Sequence, residues 1–63
     1  MKLGDKVIIQ KRVLDDLNKW HEPGEEATVK VHVASNVQVE FAGCVFNRGR
    51  AVLDVKYVEV KVA

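Results

Sequence analysis

An all-β domain of five short strands is the fold class this sequence predicts. Three observations point there. Thirteen of the 63 residues are valine, and β-branched side chains favour extended backbone. Apolar residues recur at every second position, as in Val29, Val31 and Val33, then Val37, Val39 and Phe41, then Val58, Val60 and Val62. That period matches a strand with one face inward. Turn residues separate these runs, at Gly4-Asp5, Pro23-Gly24, Ser35-Asn36 and Asn47-Arg48-Gly49.

Taken in order, Lys2-Leu3-Gly4-Asp5 reads as an entry turn. The first strand is expected over Lys6 to Arg12, with Val7 and Ile9 inward and Ile8 a lone apolar residue on the outer face. Val13 to Glu26 forms a long connection, and connections of that length tend to carry function. The spacing of Leu14, Leu17 and Trp20 predicts a short helical turn within it. Pro23-Gly24 closes it as a type II turn, because proline presets φ at the first central position and glycine accepts positive φ at the second.

The next two strands form a hairpin within Glu25 to Gly43. A three-residue loop, Ala34 to Asn36, would set Val33 opposite Val37, Val31 opposite Val39 and Val29 opposite Phe41. Outside, Lys30 would face Glu40 and His32 would face Gln38. Opposite charges across a ladder support that register. A turn at Asn47-Arg48-Gly49 leads to a fourth strand, Ala51 to Val55. A short crossing turn near Asp54 to Tyr57 then returns the last strand, Val58 to Val62.

One domain, residues 1–63, accounts for the chain. Five strands with one long first loop and tight later ones predict an SH3-like barrel. A five-stranded OB-fold needs a helix between strands three and four, and Gly43 to Arg50 is too short to hold it. At this size burial is limited, and small unstapled chains often associate. A homo-oligomer is therefore one expectation.

Gly4-Asp5-Lys6-Val7, Gly24 with Ala27-Thr28-Val29, the strand Val37-Gln38-Val39-Glu40-Phe41 and the closing Val58-Glu59-Val60 together resemble small SH3-like barrel proteins. The pattern is similar to KOW-type domains of ribosome and transcription proteins. It also resembles a small SH3-like component of photosystem I and the variable chain of ferredoxin–thioredoxin reductase. The resemblance implies the barrel and a binding role toward RNA, protein or another subunit. Ala27 stands where KOW-type domains usually carry a second glycine. Val37-Gln38-Val39 is similar to a stretch of the plasmid-borne trimethoprim-resistant dihydrofolate reductases. In those SH3-like tetramers the stretch lies near the chain end and leads into Tyr-Pro, whereas here it is mid-chain and leads into Glu40-Phe41.

Ten basic residues against nine acidic ones leave a net charge of +1, without the basic excess typical of nucleic-acid binders. No apolar run approaches the length that spans a bilayer. A lone cysteine, Cys44, and an N-terminus without signal-peptide features fit a reducing cytoplasm. Cys44 has no local activating base and reads as an inert thiol. His21, His32 and Cys44 lack metal-ligand spacing, and His32 alternates onto the outer face. No catalytic set, metal or cofactor is implied.

Trp20, the single tryptophan, sits in the long loop between Lys19 and His21. Packed with Leu14 and Leu17 it would cap the barrel's open end; exposed, it would stack a base or line a peptide groove. From Val13 to Glu26 the local charge is −4, from Asp15, Asp16, Glu22, Glu25 and Glu26 against Lys19. Arg48 and Arg50 lie on the later loop without an acid. The two loops would pair within one chain or between chains. Phe46 would supply an apolar contact beside them or plug the barrel end. The expected function is thus a non-enzymatic interaction module. It would bind a protein partner or itself through Lys19, Trp20, His21, Phe46, Arg48 and Arg50. Nucleic-acid binding, with Lys11, Arg12, Lys19, Arg48 and Arg50 around a stacking Trp20, is the alternative. An oligomeric enzyme with its site at a symmetry axis is more remote.

Overall fold

The computed structural model describes residues 1–45 and 48–61, apart from the Cys44 side chain. The chain is all-β, with no α-helix among the described residues. Its strands are β1 (Lys6–Ile9), β2 (Val13–Leu14), β3 (Trp20–His21), β4 (Glu26–Val33), β5 (Asn36–Val45), β6 (Arg48–Asp54) and β7 (Val58–Val60). Five of them form one antiparallel sheet in the order β6-β5-β4-β1-β7, while β2 and β3 form a separate two-stranded ladder.

The expected alternation places the core correctly on β1 and β5, and Ala51 and Leu53 of β6 complete it. Val7 and Ile9, Val37, Val39 and Phe41, and Ala51 and Leu53 are all buried, joined by Val13, Ala27, Val29 and Val58. Ile8 is half-buried between β4 and β7. The first strand is shorter than expected, ending at Ile9 rather than Arg12. The fourth begins at Arg48 rather than Ala51, so Arg48 and Gly49 lie in strand. The crossing turn is a 3-10 turn, Val55–Tyr57, whose entry is capped by the Asp54 carboxylate accepting from the Lys56 N–H. The Glu22–Glu25 turn is closed by the Glu25 N–H on the Glu22 carbonyl, with Gly24 at φ 97° as a type II turn requires.

The β4–β5 hairpin departs from the expected register. Its loop has two residues, Ala34 and Ser35, so that Val33 pairs with Asn36, His32 with Val37 and Val31 with Gln38. Positive φ falls on Ala34, at 53°, rather than on Asn36. Two-residue loops match the twist of antiparallel strands. Continued unbroken, this register would turn Val29 outward and Lys30 into the core. A bulge between Val29 and Val31 absorbs one residue and resets the ladder to Val29–Val39, Thr28–Glu40 and Ala27–Phe41. Val29 is therefore fully buried, whereas Val31 and Val33 stand outside. His32 is the ladder partner of buried Val37 and is itself exposed. Lys30 does not face Glu40 in the ladder, yet the bulge leaves its Nζ 3.9 Å from the Glu40 carboxylate.

No helical turn forms at Leu14, Leu17 and Trp20. Val13 pairs with His21 and Leu14 with Trp20 across the β2–β3 ladder. The connection is a hairpin because Asp15 closes it. Asp15 Oδ1 accepts from the N–H groups of Leu17 (2.8 Å) and Lys19 (3.0 Å), and Asn18 adopts φ 58°. A short carboxylate that satisfies nearby backbone donors favours a turn over helix.

Candidate interaction face and the buried histidine behind it

The β2–β3 ladder carries one inward and one outward pair. Val13 and His21 point in, and Leu14 and Trp20 point out. His21 is only 4 % exposed. Its Nε2 lies 2.5 Å from Asp15 Oδ2 and its Nδ1 2.6 Å from Glu25 Oε1. Its ring stacks on Phe41, with centroids 3.6 Å apart and 6° between the planes.

An imidazolium donating from both nitrogens suits two flanking carboxylates. Burial acts most strongly on the His21 pKa and pulls it down. The bonds to Asp15 and Glu25 and the charges of both outweigh it and leave the pKa raised. For Asp15, burial pushes upward most strongly. The His21 bond, the two backbone N–H groups and the His21 charge overcome it and hold the carboxyl below its usual range. With both nitrogens engaged, the ring has no lone pair to offer a substrate as a general base. The carboxylates occupy opposite sides of the ring and do not converge on a point where a metal would sit. Among the described residues no group of three His, Cys, Asp or Glu is placed to hold one.

Neighbouring residues in a strand face opposite ways, so fixing His21 inside drives Trp20 out. Trp20 is 53 % exposed and does not cap the core; Leu14 and Leu17 are also exposed beside it. The Arg12 guanidinium lies over the indole, 4.2 Å from the ring centroid, and bonds Glu22 at 2.9 Å. Lys19 is exposed, and among the described residues no carboxylate pairs with it.

The acidic loop and the later arginines meet within one chain. Asp16 Oδ1 accepts from the N–H groups of Gly49 and, at 2.9 Å, Arg50, while Arg48 Nη2 donates to the Asp16 carbonyl at 2.7 Å. Those backbone donors, Arg50 first, hold the Asp16 carboxyl below its usual range. Arg50 turns its side chain to Glu40 (3.0 Å) and Gln38 (3.2 Å) instead. The structure thus exposes Lys19 and Trp20 on the hairpin, holds His21 behind them, bonds Arg48 to the Asp16 carbonyl and ties Arg50 into the sheet. Phe46 lies outside the described residues. A shallow groove of about 310 Å³ opens elsewhere, between Lys6, Glu26, Thr28 and Glu40. Its charges are bonded to protein groups, Lys6 to Thr28 and Glu26 to Lys61.

The Asp15–His21–Glu25 arrangement is absent from the sequence expectations because the segment reads as helical there. Asp15-Asp16-Leu17-Asn18 carried the signal, since Asp and Asn at these spacings favour a tight turn and a returning strand. No protein-family model matches the chain, and neither curated proteins nor solved structures give a match. Among the described residues no helix is long and apolar enough to cross a membrane.

Proposed function

We propose that this chain is a non-enzymatic interaction module that binds a protein partner through the outward face of the first loop. Trp20 is the anchor, Leu14 and Leu17 extend the apolar surface, and Arg12 and Lys19 form a cationic rim. The observation that carries this reading is the exposed indole held outward by a buried neighbour. A large aromatic already fixed in its binding orientation loses little freedom on association, and tryptophan and arginine dominate binding hot spots.

We also propose that the five-stranded sheet curls into an SH3-like barrel. Four strands meander in sequence, a 3-10 turn follows, and the last strand returns beside the first. The Asp16 contacts to Gly49 and Arg50 draw the long loop toward the opposite sheet edge. These features support closure and agree with the resemblance carried by Gly4 to Val7 and Val37 to Phe41.

The test compares immobilised wild-type chain with Trp20→Ala and with Lys2→Ala, a control remote in sequence. Specific capture of a cellular protein by wild type and control, lost with Trp20→Ala, supports the reading. Equal capture by all three overturns it.

A second reading, a single-stranded nucleic-acid binder, gains one point from the structure. The loop carboxylates are engaged by His21, by Arg12 and by backbone N–H groups rather than left open beside Trp20. Quenching of Trp20 fluorescence by a single-stranded oligonucleotide, with affinity falling steeply as salt rises, would favour it. The absence of quenching at low salt removes it.

A further inference from the structure

The bulge in β4 has a consequence on the face of the sheet away from the core. On its hairpin side, where the two-residue loop sets the register, Val31 lies outside, in one cross-strand row with Gln38 and Val52. Val31 is 42 % exposed, Val52 64 % and neighbouring Val33 65 %. One side of this row carries Lys30, Glu40 and Arg50, a net single positive charge. The other side carries Asp54 on β6 and the neutral Asn36 on β5. Arg50 and Asp54 flank Val52 at equal offsets along β6, and Glu40 and Asn36 flank Gln38 likewise along β5.

We propose that a second copy of this chain covers this face, related by a two-fold axis along the Val31–Gln38–Val52 row. On such an axis like meets like, so the central residues must be uncharged and self-complementary. Val31, Val52 and Gln38 satisfy this, and the Gln38 amide offers its NH2 donors and the second lone pair of an oxygen that already accepts from Arg50 to its symmetry mate. Rotation about the row exchanges its two sides. Arg50 of each copy, its Nε on Glu40 and its Nη1 on Gln38, then brings its Nη2 group over Asp54 of the other, so one charge complementarity is made twice. The alternative axis, along β5, would oppose Glu40 to Glu40 and Lys30 to Arg50, and like charges reject it. Three strands by about five residues give a patch of about 14 by 17 Å. That is smaller than the roughly 800 Å² per partner of a standard interface, so the dimer is weak and exchanges rapidly. It uses a different face from Trp20 and does not rest on the proposed loop interaction.

Sedimentation equilibrium on the whole chain, from micromolar to submillimolar concentration, tests the proposal alongside NMR dilution. The expected result is a monomer–dimer equilibrium with dilution shifts centred on Val31, Val33, Gln38 and Val52. Val52→Lys should weaken it by about 100-fold or more, because each substitution acts twice across the axis. Asp54→Lys and Arg50→Glu should each be monomeric alone and associate when mixed, since the mixture restores both charge pairs. A wild type that remains monomeric throughout overturns the proposal. So do dilution shifts centred on Leu14 and Trp20, or a dimer untouched by Val52→Lys. If Arg50→Glu does not fold, the wild-type dilution series and Val52→Lys decide the outcome.

Discussion

His21 lies flat against Phe41, 3.6 Å between ring centroids, in a plane that also delivers its two nitrogens to Asp15 and Glu25. One buried side chain thereby ties the first loop to β5 of the sheet. Its position explains both why the loop is a hairpin and why Trp20 is outside.

The pH dependence of stability follows from that contact. The folded pKa of His21 is raised above its ordinary 6.5. Its contribution is therefore complete below about pH 6.5 and is lost as pH rises through the folded value. Thermal midpoints measured from pH 5 to 9 should fall toward the alkaline end, in step with the His21 ring resonances in NMR. His21→Gln should flatten that dependence and cost about 3 kcal/mol, because Asp15 is left buried without its partner. An unchanged midpoint across the range would show that the ring is not held as an imidazolium.

Asp16 should control how tightly the first loop rests on β6. Its carboxylate accepts the Gly49 and Arg50 N–H groups. Asp16→Ala leaves both donors without that partner, and hydrogen exchange at these two amides should accelerate. Asp16→Asn keeps an acceptor oxygen and should retain most of the protection. The Asp16 pKa is lowered from 3.8. Its contribution is therefore present above about pH 3.8 and lost as pH falls through the folded value.

Val29 and Val31 are two residues apart and would behave alike in a regular strand. The bulge separates them. Val29→Ala should cost about 2–3 kcal/mol, as a fully buried truncation does. Val31→Ala should change stability by less than about 0.5 kcal/mol when measured at low protein concentration. Urea denaturation of the two variants compares them directly, and equal losses would place Val31 in the core and remove the bulge.

Ala34 sits at φ 53° in the two-residue hairpin loop, a conformation that costs residues with a Cβ about 1–2 kcal/mol. Ala34→Gly should therefore stabilise the chain by up to about 1 kcal/mol, after the greater chain entropy of glycine is subtracted. A rise in thermal midpoint is the expected readout. A fall would mean that the loop instead has three residues closed at Asn36.

Much of the fold was legible in the residue pattern. Val37, Val39 and Phe41 alternate with Gln38 and Glu40, and Val7 and Ile9 are flanked by Lys6 and Gln10; a period of two identifies an inward face without knowledge of the partner strand. The Pro23-Gly24 turn was equally plain, because its backbone angles are a local property of those residues. The site was less legible. Trp20 and His21 are both amphipathic, and composition favours the tryptophan as the buried one. The choice went to His21 because two carboxylates of the same loop, Asp15 six residues before it and Glu25 four after it, are brought to its ring only when the loop folds back as a hairpin.

Residue order alone was enough for the all-β class, the inward faces of β1 and β5 and the position of the crossing turn. Each follows from side-chain alternation or local backbone preference. The hairpin register, the outward turn of Val31 and Val33 and the burial of His21 in place of Trp20 were settled in three dimensions. Those outcomes depend on which strand lies opposite and how its donors and charges are satisfied, and a one-residue shift exchanges the two faces while leaving the sequence pattern unchanged.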